Sequence, residues 1–133
     1  MNPWYPKVSE RAGHRCEYCR APEVIFNLAF EVEHIIPSGQ HGEDDDGNLA
    51  LACRSCNLFK SDHTTAFDET SANEVNLFNP RMNRWEEHFQ INPNTGEIEG
   101  LTPTARVTIA CLQMNSKLQT AARKQWLRLG LLP

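Results

Sequence analysis

Two C-x-x-C pairs, Cys16/Cys19 in CEYC and Cys53/Cys56 in CRSC, constrain the fold of this 133-residue chain more than any other sequence feature. A C-x-x-C turn places two thiols on one side of a tight backbone knuckle, and two such turns supply the four ligands of a tetrahedral metal site. Because a short segment buries too little apolar surface to fix its own geometry, the pairs predict a fold stabilised by structural zinc.

Two other interpretations of the cysteines stay open from the sequence. The four thiols could be unrelated buried residues, although the double spacing disfavours this. They could also hold iron in a rubredoxin-like site, but such knuckles usually carry glycine after each pair, whereas Arg20 and Asn57 stand there. The fifth cysteine, Cys111, lies on the apolar face of a predicted helix and is expected in the core.

The composition is ordinary for a soluble globular protein, with 40% hydrophobic and 23% charged residues. No run approaches the roughly 18 apolar residues that a membrane helix needs, and the N-terminus lacks the basic-then-apolar pattern of a secretory signal. We therefore expect no membrane partner and a cytoplasmic location. In a reducing compartment, paired cysteines indicate metal binding or catalysis rather than disulfides.

Charge is distributed unevenly along the chain. Residues 1–100 contain 8 Lys or Arg and all 17 Asp or Glu, whereas residues 101–133 contain 5 Lys or Arg and no acid. This asymmetry predicts either a basic segment that meets a polyanion or a basic helix that packs on the acidic part. In the first case, Arg123, Lys124 and Arg128 would contribute to DNA binding.

Hydrophobic periodicity and turn residues predict an α+β fold. A short helix, with Ser9 as a cap and Gly13 at its end, precedes the first cysteine pair. Strands are predicted for VIFNLAFEVEHII and NLALAC, with a loop between them and a short helix over CRSCNLFKSD. Farther along the chain come irregular loops, a hairpin over QINPNTGEIEGL and two helices, the first capped by Thr102 with Pro103 at its first position.

Five polar residues lie between or beside the cysteine pairs: Glu33, His34, Asn48, Asn57 and Lys60. Taken singly, each has an ordinary explanation, such as a partly buried histidine, a turn or helix asparagine, or a solvated lysine. Their joint occurrence within one clamped segment favours a functional site.

The strings EHIIP, GNLALAC and CRSCNLFKSD resemble the HNH endonuclease family, whose core is a two-stranded hairpin and a helix around one metal ion. The HNH domain of CRISPR effector nucleases is similar across the same stretch. The resemblance covers about residues 16–62 and implies a small ββα-metal (His-Me finger) core with structural zinc knuckles. We therefore expect an HNH core over residues 1–65. Residues 66–133 would form a C-terminal helical extension that packs on the core and can contact DNA.

The resemblance also implies roles for the five polar residues. His34 would be the general base that activates water, since histidine ordinarily titrates near neutral pH. Glu33 and Asn57 would hold one catalytic Mg²⁺ or Mn²⁺, which prefers oxygen ligands. Asn48 is expected to brace the loop or the histidine backbone. Lys60, one helical turn beyond Asn57, is expected to reach a phosphate.

The chain departs from the commonest family pattern in two places. Glu33 replaces the usual aspartate and is one methylene longer. Asn57 stands at the third position of the H-N-H motif in place of a histidine, which suits Mg²⁺ or Mn²⁺ better than zinc. Adjacent strand residues point to opposite faces, so Glu33 and His34 share a site only if the strand is distorted before Pro37. The loop acids Glu43 to Asp46 are expected to point away, because they would repel DNA.

The sequence thus predicts a metal-dependent endonuclease acting on DNA, with duplex DNA as the expected substrate and a monomer or homodimer as the active form. The alternative is a catalytically silent zinc module that binds nucleic acid or a protein. A third function, electron transfer, would require iron in the cysteine site. The presence of both His34 and Asn57 favours the enzyme, because a degenerate copy should have lost one of them.

Overall fold

The computed structural model describes residues 2–132 as a mixed α/β protein whose strands form three antiparallel two-stranded sheets. The helices are α1 (Tyr5–Arg11), α2 (Arg54–Lys60), α3 (Trp85–His88), α4 (Pro103–Cys111) and α5 (Lys117–Arg128). The strands are β1 (Glu31–His34), β2 (Leu49–Ala52), β3 (Thr65–Asp68), β4 (Asn73–Asn76), β5 (Phe89–Ile91) and β6 (Ile98–Gly100). The sheet pairs are β1–β2, β3–β4 and β5–β6. Among the described residues, every helix is too short or too polar to cross a membrane.

Helix α1 forms where it was predicted but begins differently. Its N-cap is Trp4, and Pro6 occupies the first turn, where proline is tolerated because the first amides have no partner inside the helix. Ser9, the predicted cap, is instead buried inside the helix. The helix ends before Gly13, whose φ of +64° is the left-handed conformation that glycine adopts without steric cost.

The first predicted strand is much shorter than its apolar run suggested. Only Glu31–His34 pairs with β2, with His34 opposite Leu49. A buried carboxylate explains the difference: Glu23 accepts hydrogen bonds from the Phe30 amide at 2.6 Å and the Tyr5 hydroxyl at 2.8 Å. These bonds close residues 23–30 into a loop, so the apolar residues before β1 serve the loop rather than a sheet.

The C-terminal half contains the predicted hairpin β5–β6 and the two predicted helices, with Thr102 capping α4 through the Ala105 amide at 3.1 Å. The hairpin β3–β4, in contrast, falls partly within the region predicted as loops. Its strands are short and mostly exposed, with Phe67 59% exposed, so no apolar alternation marks them. Asp68 stabilises this hairpin by accepting the Ser71 amide at 3.0 Å and by pairing with Arg106 of α4 at 3.0 Å.

Contacts of Trp85 and Arg81 help to attach the C-terminal half to the first cysteine knuckle. The Trp85 indole donates to the carbonyl of Tyr18 at 2.8 Å, and Arg81 pairs with the buried carboxylate of Glu17. Glu17 also accepts the Leu51 amide of β2 at 2.9 Å. Residues after position 65 therefore pack directly on the segment that holds the cysteines, while the domain boundary at that position stays a prediction.

The C-terminal cations divide between buried and exposed positions. Arg123 is fully buried and donates to the carbonyls of Gly96 at 2.7 Å and Met114 at 2.8 Å. Burial lowers the pKa of this guanidinium. Of the three cations predicted to meet DNA, only Lys124 and Arg128 are exposed. Arg123 joins the β5–β6 turn to the α4–α5 connection, and its predicted contribution to a DNA surface was wrong.

Replacing Arg123 by methionine should lower the free energy of unfolding by about 2–4 kcal/mol, because buried carbonyl groups lose their donors. Urea unfolding followed by circular dichroism measures this change. The matched control is Lys124→Met on the exposed side of the same helix, which should change stability by less than about 0.5 kcal/mol. Equal effects of the two substitutions would contradict the structural role of Arg123.

Candidate metal centre and catalytic cleft

The four paired cysteines converge on one point. All four are buried, and their sulfur atoms lie within 4.8 Å of one another. Each pair forms the same knuckle, in which the amide of the second cysteine lies 3.5 Å from the sulfur of the first. A search of residues 2–132 for three or more His, Cys, Asp or Glu side chains close enough to hold an ion finds these four cysteines.

The close approach of the four buried thiols favours a bound cation. Contacts with Cys16 and the other thiols lower the pKa of Cys53 and raise the pKa values of Cys19 and Cys56. Four buried sulfurs at this separation cannot all ionise without a compensating positive charge. A tetrahedral set of soft thiolates is the ligand type that structural zinc prefers, so the residues fit zinc.

The hairpin β1–β2 and helix α2 place Glu33, His34 and Asn57 along one open cleft of about 310 Å³. The alternation of β1 still holds, because Glu33 is buried while the His34 side chain is 38% exposed. The strand ends directly after His34. The Ile35 amide still donates to the backbone carbonyl of Asn48. The next amide, that of Ile36, donates instead to the Asn48 side chain. The strand end therefore brings neighbouring residues of opposite orientation to the walls of the same cleft.

The Glu33 carboxylate has a donor on each oxygen. The Tyr18 hydroxyl donates to one oxygen, and the Lys60 ammonium donates to the other at 3.1 Å. Burial raises the pKa of Glu33, while the positive charge of Lys60 opposes that shift. Burial and the neighbouring Glu33 likewise raise the pKa of Tyr18. This wall of the cleft is thus a buried, hydrogen-bonded ion pair.

Lys60 is 1% exposed and makes three contacts. Besides Glu33, its ammonium donates to the carbonyls of His34 at 3.3 Å and Ile35 at 2.9 Å. These bonds fix the two peptide groups on either side of Ile35, directly after His34. The phosphate contact predicted for Lys60 would require the ammonium to leave these acceptors, and that contact stays a prediction.

Asn48 bridges the two ends of the loop that follows β1. Its side-chain oxygen accepts the Ile36 amide at 2.9 Å, and its nitrogen donates to the carbonyls of Ile36 and Glu43, both at 2.9 Å. Its backbone carbonyl accepts the Ile35 amide at 2.9 Å. The side chain therefore joins residues 36 and 43 of the loop, and the backbone carbonyl holds Ile35, the residue after His34.

Glu31 is a candidate residue that the sequence interpretation did not single out. Its carboxylate accepts a hydrogen bond from the Asn57 amide and pairs with Arg54 at 3.2 Å. The signal was present, since the alternation in EVEH places Glu31 and Glu33 on the same face of β1, towards α2. Glu31 adds a second carboxylate beside the amide that was predicted to bind a catalytic ion.

The acids of the loop do not all point away from the cleft. The Asp44 carboxylate lies 3.3 Å from Nε2 of His34. Asp46 instead pairs with Lys7, and Asp45 accepts the Gly47 amide at 2.9 Å. The expectation that the whole acidic run avoids the cleft was therefore wrong for Asp44.

Comparison with known proteins agrees with this arrangement. Residues 16–63 match the family model described as HNH endonuclease. The matched segment includes both cysteine pairs, the β1–β2 hairpin and α2, and so confirms the resemblance found in the sequence. No curated protein and no solved structure gives a significant match to the chain.

The purified protein should contain about one zinc ion per chain, since the four thiols form one tetrahedral ligand set. Cys53→Ser should abolish zinc retention and unfold the cysteine segment, because binding free energy at such a site is folding free energy. Elemental analysis and circular dichroism measure the two effects. The matched control is Cys111→Ser, which lies outside the cluster and should retain zinc. Iron in place of zinc would contradict the assignment.

Proposed function

We propose, from the HNH domain at residues 16–63, that this protein is a metal-dependent endonuclease that hydrolyses DNA phosphodiester bonds. The observation that carries the proposal is the cleft in which Glu33, His34 and Asn57 meet at the end of β1. A base, oxygen donors for an ion and space for a phosphate are the requirements of this reaction. His34, the pair Glu33 and Asn57, and the open cleft that they line are the candidates for these three parts.

His34 acts as the general base in this proposal. As the water oxygen forms a bond to phosphorus, the imidazole accepts the water proton, and the bond from phosphorus to the leaving sugar oxygen breaks. The partial exposure of His34 leaves its ring open to water and substrate. Lys60 and Asn48 act as positioning residues, because their hydrogen bonds fix the backbone of residues 34–36.

Glu33 and Asn57 would hold the catalytic Mg²⁺ or Mn²⁺. The donors are carboxylate and amide oxygens, which fit a hard cation. When bound, the ion neutralises charge on the phosphate and stabilises the leaving oxygen. Glu31 contacts Asn57 and is a third oxygen donor on the same side. The two predicted ligands are each oriented by a hydrogen bond within the chain: Glu31 orients Asn57, and Tyr18 orients Glu33.

One observation supports a second function, a catalytically silent zinc module that binds nucleic acid or a partner protein. Glu33, a predicted ligand, is already paired with Lys60 inside a buried network. If that pair never opens to an ion, the cleft cannot support hydrolysis. The two functions differ in whether plasmid is cut in a divalent-ion-dependent reaction.

Wild-type protein should convert supercoiled plasmid to nicked or linear forms in Mg²⁺ or Mn²⁺, and His34→Ala should be slower by about 10²-fold or more. The cleavage rate is read from agarose gels. DNA affinity, measured by fluorescence anisotropy in Ca²⁺, should be similar in both proteins, because His34 supplies proton transfer rather than binding.

The matched control is His41→Asn in the neighbouring loop. His41 has a φ of +68°, and asparagine tolerates this left-handed conformation well. Cleavage by this variant should match the wild type. Plasmid left equally intact by wild type and His34→Ala with every divalent ion would exclude the nuclease and favour the silent module.

Glu31→Gln should raise the Mn²⁺ concentration needed for half-maximal cleavage by about tenfold, because the amide weakens the oxygen set around Asn57. Cleavage rates across a Mn²⁺ titration measure this effect. Glu69→Gln, an exposed acid of the β3–β4 hairpin connection, is the control for the loss of one negative charge. A titration curve unchanged by Glu31→Gln would exclude Glu31 from ion binding and leave it only its contacts with Asn57 and Arg54.

A further inference from the structure

The acidic run from Glu43 to Asp46 contains one residue, Asp44, whose side chain contacts His34, a residue that lines the cleft. Asp45 caps the turn through the Gly47 amide, and Asp46 is held at the other side of the loop by Lys7 and by a bond from Arg11 to its carbonyl at 2.8 Å. Asp44 differs, since its carboxylate lies 3.3 Å from Nε2 of His34. The three aspartates therefore have separate contacts although the sequence presents them as one block.

The backbone on both sides of Asp44 is fixed by side chains. Before it, the Glu43 carbonyl accepts the Asn48 amide at 2.9 Å. After it, Asp45 closes the turn at Gly47, and Asp46 is anchored to α1 by Arg11. Asp44 thus lies between two anchored points, and the loop between them holds its carboxylate against the imidazole.

We infer that Asp44 is a positioning residue that selects the ring tautomer and orientation of His34. A neutral imidazole carries one N–H, and the other nitrogen is an acceptor. With Nε2–H donating to the Asp44 carboxylate, the lone pair lies on Nδ1, which is then the atom that takes the proton from water. The inference rests on the proposed function of His34 and adds which nitrogen acts and what orients it.

Charge repulsion is the competing explanation of Asp44. A negative residue at the cleft rim weakens the approach of DNA whether or not it contacts His34. Asp62 offers a matched comparison, because it is exposed, lines the same cleft and, among residues 2–132, has no ion-pair partner. Replacing either acid removes one negative charge from the rim, whereas only Asp44 contacts the imidazole.

The experiment compares Asp44→Asn with Asp62→Asn in two measurements. The first is the ¹⁵N–¹H spectrum of the His34 ring in the zinc-loaded protein without DNA, at a pH where the ring is neutral. Wild type and Asp62→Asn should show the Nε2–H tautomer, and Asp44→Asn should show a mixture of tautomers. Asp44 is exposed, with its side chain 73% accessible, so the substitution leaves the fold intact.

The second measurement is plasmid cleavage, analysed as kcat and KM. Asp44→Asn should lower kcat by about tenfold or more. Both substitutions should lower KM alike, because each removes one repulsive charge. An unchanged tautomer in Asp44→Asn, or a kcat equal to that of Asp62→Asn, would overturn the inference and leave charge repulsion as the role of Asp44. Because the ring spectrum needs no DNA and no cleavage, it decides the inference even if the nuclease proposal fails.

Discussion

The convergence of four cysteine sulfurs within 4.8 Å fixes the geometry on which the rest of the candidate site depends. This cluster joins the knuckle before the hairpin to the first turn of α2. Cys53 has two roles there, as a member of the cluster and as the N-cap of α2, which begins at the next residue. Asn57 directly follows Cys56, so its position relative to β1 is set by the cluster. If the cluster holds zinc, as its ligand set favours, removal of the ion would release both walls of the cleft together.

Inside that clamp, a buried ion pair sets the finer geometry. Removing charges from water is costly, and an ion pair offsets the cost only when its remaining polar atoms are satisfied. Here, Glu33 has two donors and Lys60 has three acceptors. Two of those acceptors are the carbonyls of His34 and Ile35, so the pair transmits the position of α2 to the backbone of the predicted base.

Local sequence signals were sufficient where the local chain alone determines the structure. The cap at Thr102, the stop at Gly130 and the short apolar strand β2 were predictable in this way. The segment before β1 was not, because the bond from the Phe30 amide to Glu23 closes a loop within an apolar run typical of strands. The β3–β4 hairpin carries almost no apolar alternation, so its pairing with α4 through Asp68 could only be seen in three dimensions.

The candidate site also has features that the sequence predicts and features that only the structure reveals. The resemblance named residue types and spacings, and the structure places Glu33, His34 and Asn57 along one cleft. The resemblance could not show which carboxylates reach the site, because the partner of an acidic side chain is determined by the tertiary path of the chain. Glu31 reaches Asn57 and Asp44 reaches His34, although neither was selected from the sequence. The acids of the loop appeared equivalent in the sequence because a sequence gives the charge of each side chain but not its orientation.

The charge distribution around the cleft links binding to chemistry. Glu31, Glu33, Asp44 and Asp62 all carry carboxylates within or beside it, while the ammonium of Lys60 is enclosed by its own acceptors. A phosphodiester approaching these groups meets a negative rim, so electrostatic attraction from the protein alone does not bring it to His34. A divalent cation held by the oxygen donors would offset part of this negative charge. In the proposed enzyme, the ion would therefore favour phosphate binding as well as bond breakage.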